Sequence, residues 1–210
     1  SMSQWDPSLK NLGGKSLYGA TLRRVRKNGG KIAGIIWYQG ESDSTQEACP
    51  LYSERMKTLV SSFRKDLKNS SLPFVAVQLG RFINTGFRVQ YWNSIQHQQH
   101  ALLKKIKNFS IVPAVDLSLD DIIHISGKDQ NVLGKRIAYA MSVLMGINKK
   151  GKPPIELDEK SIQMKVVPPN NYVDIILKFK NVAGTFSIPE GIRPYGFSIG
   201  APVPGPLIND

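Results

Sequence analysis

One cysteine, Cys49, stands in 210 residues, which excludes an intrachain disulfide and leaves no Cys-x-x-Cys partner for metal or redox chemistry. No apolar run approaches the roughly 20 residues that a bilayer-spanning helix needs. The opening, SMSQWDPSLKN, has no charged segment followed by an apolar one, so it does not read as a signal peptide. Its abrupt start, with Ser1 ahead of Met2, is what a piece of a longer protein would show. Acidic residues are also scarce, 16 against 28 lysines and arginines, a formal net charge of +12. That balance invites a nucleic-acid reading. The basic residues, however, recur in small groups, Arg23–Lys27, Lys104–Lys107 and Lys149–Lys152, without a zinc-finger, RNA-recognition or basic-zipper pattern. Solvated helix faces and loop tips account for them, and neither nucleic acid nor membrane is the expected partner.

What is present is alternation. Leu17, Thr21, Leu22 and Val25 keep helical spacing up to the stop KNGG at Lys27–Gly30. KIAGIIWY, Lys31–Tyr38, is short and nearly all apolar, the pattern of a strand covered on both faces. Tyr52, Met56, Leu59, Val60, Phe63 and Leu67 share a helix face, followed by a strand in LPFVAVQLG, Leu72–Gly80. Trp92, Ile95, Gln99, Leu102, Leu103 and Ile106 mark a further helix, and FSIVPAVDL, Phe109–Leu117, a third strand. A last helix is expected from about Gln130 to Met145. Strands joined by helices imply a parallel sheet in an α/β/α three-layer sandwich. After the basic, Pro- and Gly-bearing linker NKKGKPP the pattern turns strand-like, in SIQMKVV, YVDIILKF and YGFSI. The expected organisation is a domain over residues 1–147, with linker and small β-rich extension over 148–210, a cap on the sheet or a carbohydrate-binding accessory.

Two segments carry chemistry. In IIWYQGESDS, a buried strand runs straight into Gln39, Gly40, Glu41 and Asp43. Ligands of open α/β sheets bind beyond the carboxyl ends of strands, and an amide placed there can stabilise a developing oxyanion. Glu41 and Asp43 read as carboxylates that orient loops or cap the next segment. In DLSLDDIIHISGKDQNVLGKRIA, two residues separate Asp121 from His124, so one turn can set the carboxylate on one imidazole nitrogen and leave the other facing a pocket. Asp120 is the competing carboxylate, and the spacing favours Asp121. His97 and His100 sit three apart on the predicted helix, but no acidic third ligand accompanies them, and a polar helix face explains them. NLGGKS fails as a phosphate loop because Leu9 stands where the first glycine belongs. Trp92 and Gln96 read as core packing or loop support.

In their order GIIWYQGESD, YSERMKTLVSSFRKDLKNSSLPFVAVQLG, WNSIQHQQ and VDLSLDDIIHISGKDQNVLGKRIA, these segments resemble the sialate O-acetylesterase-like domain, the carbohydrate esterase family six branch of the SGNH-type hydrolases, from about Ser3 to Met145. The resemblance implies a flavodoxin-like sandwich and a serine esterase, without metal or organic cofactor, that removes acetyl groups from sugars such as acetylated xylan or sialic acid. It gives His124 the general base, Asp121 the orienting carboxylate and Gln39 an oxyanion-hole side chain, with Gly40 and Glu41 beside the substrate and Glu41 supporting the loop. It also implies an extracellular or periplasmic parent protein. The family's nucleophile lies in an amino-terminal Gly-Gln-Ser-Asn block, and that block does not occur in this sequence. The chain is therefore expected to lack the nucleophilic serine and the first strand, leaving a sheet edge open to self-association. The other readings are a noncatalytic carbohydrate-binding or scaffold fragment on the same fold, and a basic nucleic-acid-binding protein.

Overall fold

A computed structural model describes residues 1–83, 89–169, 172–187 and 191. Three strands, β1 (Ile35–Trp37), β2 (Phe74–Val77) and β3 (Phe109–Val112), form a parallel sheet in that order. Helix α1 (Leu17–Lys27) precedes the sheet, α2 (Tyr52–Asp66) and α3 (Val89–Ala101) make the crossovers, and α4 (Gly127–Leu144) follows. Each helix lies where its apolar period placed it, except that α3 ends at Ala101, so that Leu102, Leu103 and Ile106 of the expected face lie beyond it. Ser16 caps α1 by accepting from the Gly19 amide at 3.0 Å, and Gly29 and Gly30, both at positive φ, end it. Helix α4 begins ahead of the expected Gln130 because Ser126 caps it and takes Gly127–Asp129 into the first turn.

The strand register decides which residues meet which helices. Trp37, Phe74, Ala76 and Phe109 face one way and pack with Tyr18 and Leu22 of α1, the Tyr52–Phe63 stripe of α2, and Trp92 and Ile95 of α3. Val75, Val77 and Val112 face the other way, onto Leu133, Ile137 and Met141 of α4. This is a three-layer α/β/α sandwich, as the alternation implied.

Two expectations need correction. The strands are shorter than the apolar runs, and beyond β1 and β2 the Gln39 carbonyl and the Leu79 amide bond to the side chain of Gln99 on α3. Nor is β1 covered on both faces: Trp37 is buried, whereas Ile36 is 58% exposed. The reason is position, since β1 is the edge strand, and α4, the one helix packed on that face among the described residues, lies over β2 and β3.

Beyond the linker, β4 (Glu156–Leu157) pairs with β7 (Phe179–Lys180), and β5 (Gln163–Val167) with β6 (Tyr172–Ile176), all antiparallel. SIQMKVV forms β5, and YVDIILKF divides into β6 and β7, whereas YGFSI, residues 195–199, lies outside the described residues. The paired residues Met164 and Ile175, and Val166 and Val173, give the β5–β6 hairpin an exposed apolar face. The linker is held to α4 where the Lys152 amide donates to the Tyr139 hydroxyl at 2.9 Å.

Candidate active site

Because the strands are parallel, the loops that follow them gather at one rim. The loop after β1 lies flush on α3: a Cβ on Gly40 would come within 2.9 Å of Ile95 Cγ2 and 3.1 Å of Gln99 Nε2. Only glycine fits that approach without displacement. Asp43, wholly buried, organises the loop. Its carboxylate accepts from Gln39 Nε2 at 2.6 Å, from the Met2 amide at 2.9 and 3.1 Å, and from Ser1 Oγ at 2.9 Å. Arg55 Nη1 stands 3.9 Å away. One N–H of the Gln39 amide is thereby committed, which fixes the direction of the other. Glu41 curls back so that its Oε2 accepts from the Gly40 amide at 2.7 Å.

Helix α3 joins this loop to the one after β2. Gln99 accepts from the Leu79 amide at 2.9 Å and donates to the Gln39 carbonyl at 3.1 Å and to the Tyr52 hydroxyl at 3.0 Å. Tyr52 in turn donates to the Gln39 carbonyl at 3.0 Å, and burial raises its phenol well above the ordinary range. Gln96 donates to the carbonyls of Leu79 and Gly80 at 2.9 and 2.8 Å, and Trp92 Nε1 to Gly80 at 2.9 Å. Gln96 provides loop support, and Trp92 provides both core packing and loop support, the two readings they had from sequence. Asp43 orients the loop, as one of its two readings from sequence had it, whereas the role of Gln99 is one that sequence reasoning missed. The one hint was an amide on the apolar stripe of α3.

The loop after β3 carries the Asp121–His124 pair. Asp121 Oδ2 lies 2.6 Å from His124 Nδ1, while its Oδ1 accepts from the amides of Ile123 and His124, both at 2.8 Å. Asp120 turns away and caps α4 through the Gly127 amide at 2.9 Å. The root of the loop is clamped by Arg136, bonded to both oxygens of Asp116 at 2.7 and 2.6 Å and to the Pro113 carbonyl at 3.0 Å. It is tied to the β2 loop through the Ile83 amide on Ile122 at 2.9 Å and Arg81 on Leu117 at 3.1 Å. His97 and His100 lie on the exposed face of α3.

The electrostatics match the geometry. The His124 hydrogen bond, and then the two amides, hold the Asp121 carboxyl down to about 2. Asp121, by hydrogen bond and by charge, raises the His124 imidazole above its ordinary value, and the Glu41 carboxylate of the β1 loop adds a smaller pull of the same sign. Across the range in which imidazole titrates, Asp121 is therefore charged, and its charge favours the protonated ring. NMR titration of the His124 Cε1–H should give a pKa above about 6.5, and Asp121→Asn should move it back towards that value. An unchanged midpoint would show that the pair does not form in solution.

A parallel α/β/α sandwich that gathers an Asp–His pair and a glutamine amide at its carboxyl rim has the plan of an SGNH-type hydrolase domain. The chain belongs to the family described as carbohydrate esterase, sialic acid-specific acetylesterase, whose model matches residues 1–143. It is 33% identical over 132 residues to a probable carbohydrate esterase of Arabidopsis thaliana, a match covering 60% of this chain and 48% of that protein. The chain therefore spans about half the length of the curated relative it matches. Among solved structures, it is similar to a carbohydrate acetylesterase from Xanthomonas citri, with a TM-score of 0.62 at 20% identity, over 79% of this chain and 38% of that one. At that identity the likeness shows the fold. It is also similar to an Arabidopsis thaliana protein, with a TM-score of 0.56 at 30% identity, over 68% and 56% of the two chains.

Proposed function

We propose that residues 1–147 form the esterase domain of a serine carbohydrate O-acetylesterase, of the sialate O-acetylesterase or acetylxylan esterase kind, acting outside the cytoplasm where polymeric glycans lie. In this reading the nucleophilic serine comes from a Gly-Gln-Ser-Asn block that this sequence does not contain. The observation that carries the proposal is the 2.6 Å contact between Asp121 and His124 on a loop bonded to its neighbours at the rim where Gln39 stands. His124 Nε2 takes the serine proton as Oγ bonds to the acetyl carbonyl carbon, and the charge that develops on the carbonyl oxygen meets the second N–H of Gln39. Collapse breaks the ester bond, and the His124 proton passes to the departing sugar oxygen. Water, deprotonated by the same nitrogen, then releases acetate.

Labelling with a fluorophosphonate, mapped by peptide mass spectrometry, tests the assignment. The chain alone should stay unlabelled, while a graft carrying the Gly-Gln-Ser-Asn segment of a relative should be labelled at that serine and release acetate from acetylated sugars. A serine labelled in the chain itself, and lost in His124→Ala, would overturn the missing nucleophile and keep the esterase. A folded graft that neither labels nor turns over would favour a noncatalytic carbohydrate-binding domain.

Among the described residues no strand pairs the outer side of β1, and that side belongs to the same reading. Unpaired strand edges add second strands, and Ile36 stands exposed beside this one. Static light scattering should show the apparent mass rising with concentration from the 23.3 kDa monomer, and Ile36→Lys should suppress the rise. A concentration-independent monomer would remove self-association from the proposal.

A further inference from the structure

We propose that a basic cleft at the opposite rim of the sheet binds an anionic polysaccharide. The cleft, about 640 Å³, lies between α2, which contributes Lys57, Arg64 and Lys65, and the turn before β3, which contributes Lys105 and Lys107. That volume falls within the range of about 300–1,000 Å³ typical of ligand sites. Five cations thus face one carboxylate, Glu54, which Lys57 already holds at 2.6 Å. Lys65, Lys105 and Lys107 are exposed and have no ion-pair partner among the described residues.

Arg64 makes this a formed site. Its guanidinium donates to the Leu72 carbonyl at 3.0 and 3.1 Å, to Lys107 at 2.8 Å and to Asn108 at 3.0 Å. Those carbonyls lie just ahead of β2 and β3, which puts the Arg64 end of the cleft, with Lys65, Lys105 and Lys107, at the amino ends of the strands, away from His124. The same bonds lock the two cation-bearing elements together. Like charges held side by side repel, so a ligand that carries several anionic groups gains at each of them.

The lining also selects among polyanions. Among the described residues no aromatic side chain lines the cleft, and stacking platforms are what single-stranded nucleic acids lie on. Thr58, Ser61 and Ser70 offer hydroxyls to a polyhydroxylated chain, above an apolar patch from Val60 and Ile106. The preference for a glycan over another polyanion rests on the esterase reading, and the cleft would hold a polymer on the side remote from the chemistry.

The test is binding of the full chain, by isothermal titration at about 50 and 200 mM salt, to heparin, polygalacturonate, neutral xylan and a thymidine homopolymer. Sulfated heparin, carboxylated polygalacturonate or both should bind, identifying the anionic group, while neutral xylan should not. The triple change Lys65→Gln, Lys105→Gln and Lys107→Gln should weaken that binding about tenfold or more. Lys149→Gln, Lys150→Gln and Lys152→Gln, which removes the same charge from the linker, should change it less than about twofold. Equal loss in the two triple variants, tighter binding of the homopolymer, or no glycan binding would overturn the proposal. No turnover is read, so a failure of the esterase reading leaves this result standing.

Discussion

Asp43→Ala should lower the free energy of unfolding by about 3–5 kcal/mol, the range for removing one side of a buried charged network. The carboxylate is wholly buried, and the Gln39 amide, the Met2 amide and the Ser1 hydroxyl all aim at it. Alanine leaves those donors facing a cavity that offers no acceptor, and each unsatisfied buried donor costs about 1–3 kcal/mol. Asn keeps one carbonyl oxygen but turns an NH2 towards a donor, so Asp43→Asn should recover only part of the loss. Urea titration checks the magnitude. A second readout checks the cause: the Met2 amide anchors the turn Met2–Trp5, and Trp5 packs edge-on against Trp37 at 4.8 Å. Near-ultraviolet dichroism from that pair should fade in Asp43→Ala before global unfolding. A loss below about 1 kcal/mol, in the range of exposed polar contacts, would mean that Asp43 is not the hub described here.

That Asp43 orients its loop could be read from its place after β1, but not that it holds the amino-terminal turn, because the partner there, Met2, lies 41 positions away. Gln99 was hidden for a related reason. On a helix face that otherwise buries Trp92 and Ile95, it fits the apolar period, and its function appears only when the loops after β1 and β2 arrive beside it. The Asp121–His124 pair was legible because its geometry is local: three positions of chain in a turn bring the carboxylate to the ring, and the same turn supplies the two amides that hold it. The helices were legible for the same local reason, through their apolar period. Strand length and coverage were not. An apolar run states that a segment can be buried, whereas the exposure of Ile36 depends on which strands and helices stand beside β1. The basic cleft likewise joins α2 to a turn far along the chain, and separate Lys and Arg groups in the sequence gave no sign of it.

In the grafted esterase, His124→Ala should reduce kcat/KM for acetate release by about 10²–10⁴-fold, the contribution of a positioned general base. Asp121→Asn should cost most on the high-pH plateau and less at low pH, because it should also shift the profile. With Asp121 in place the imidazole pKa is raised, so the fraction of neutral base, and with it the rate, climbs at a higher pH than for an unperturbed histidine. Removing the charge lowers that pKa: the ascending limb should move to lower pH while the plateau falls, because the ring loses its orienting partner. A purely structural role for Asp121 would lower the plateau without moving the limb, so the two roles separate in one experiment. Gln39→Ala should lower kcat by about 10²–10³-fold with little change in KM, since an oxyanion donor acts on charge that appears only in the transition state. If Gln39→Ala raised KM alone, its amide would be holding the acetyl sugar in the ground state, and the oxyanion hole would have to be built from backbone amides elsewhere on the rim.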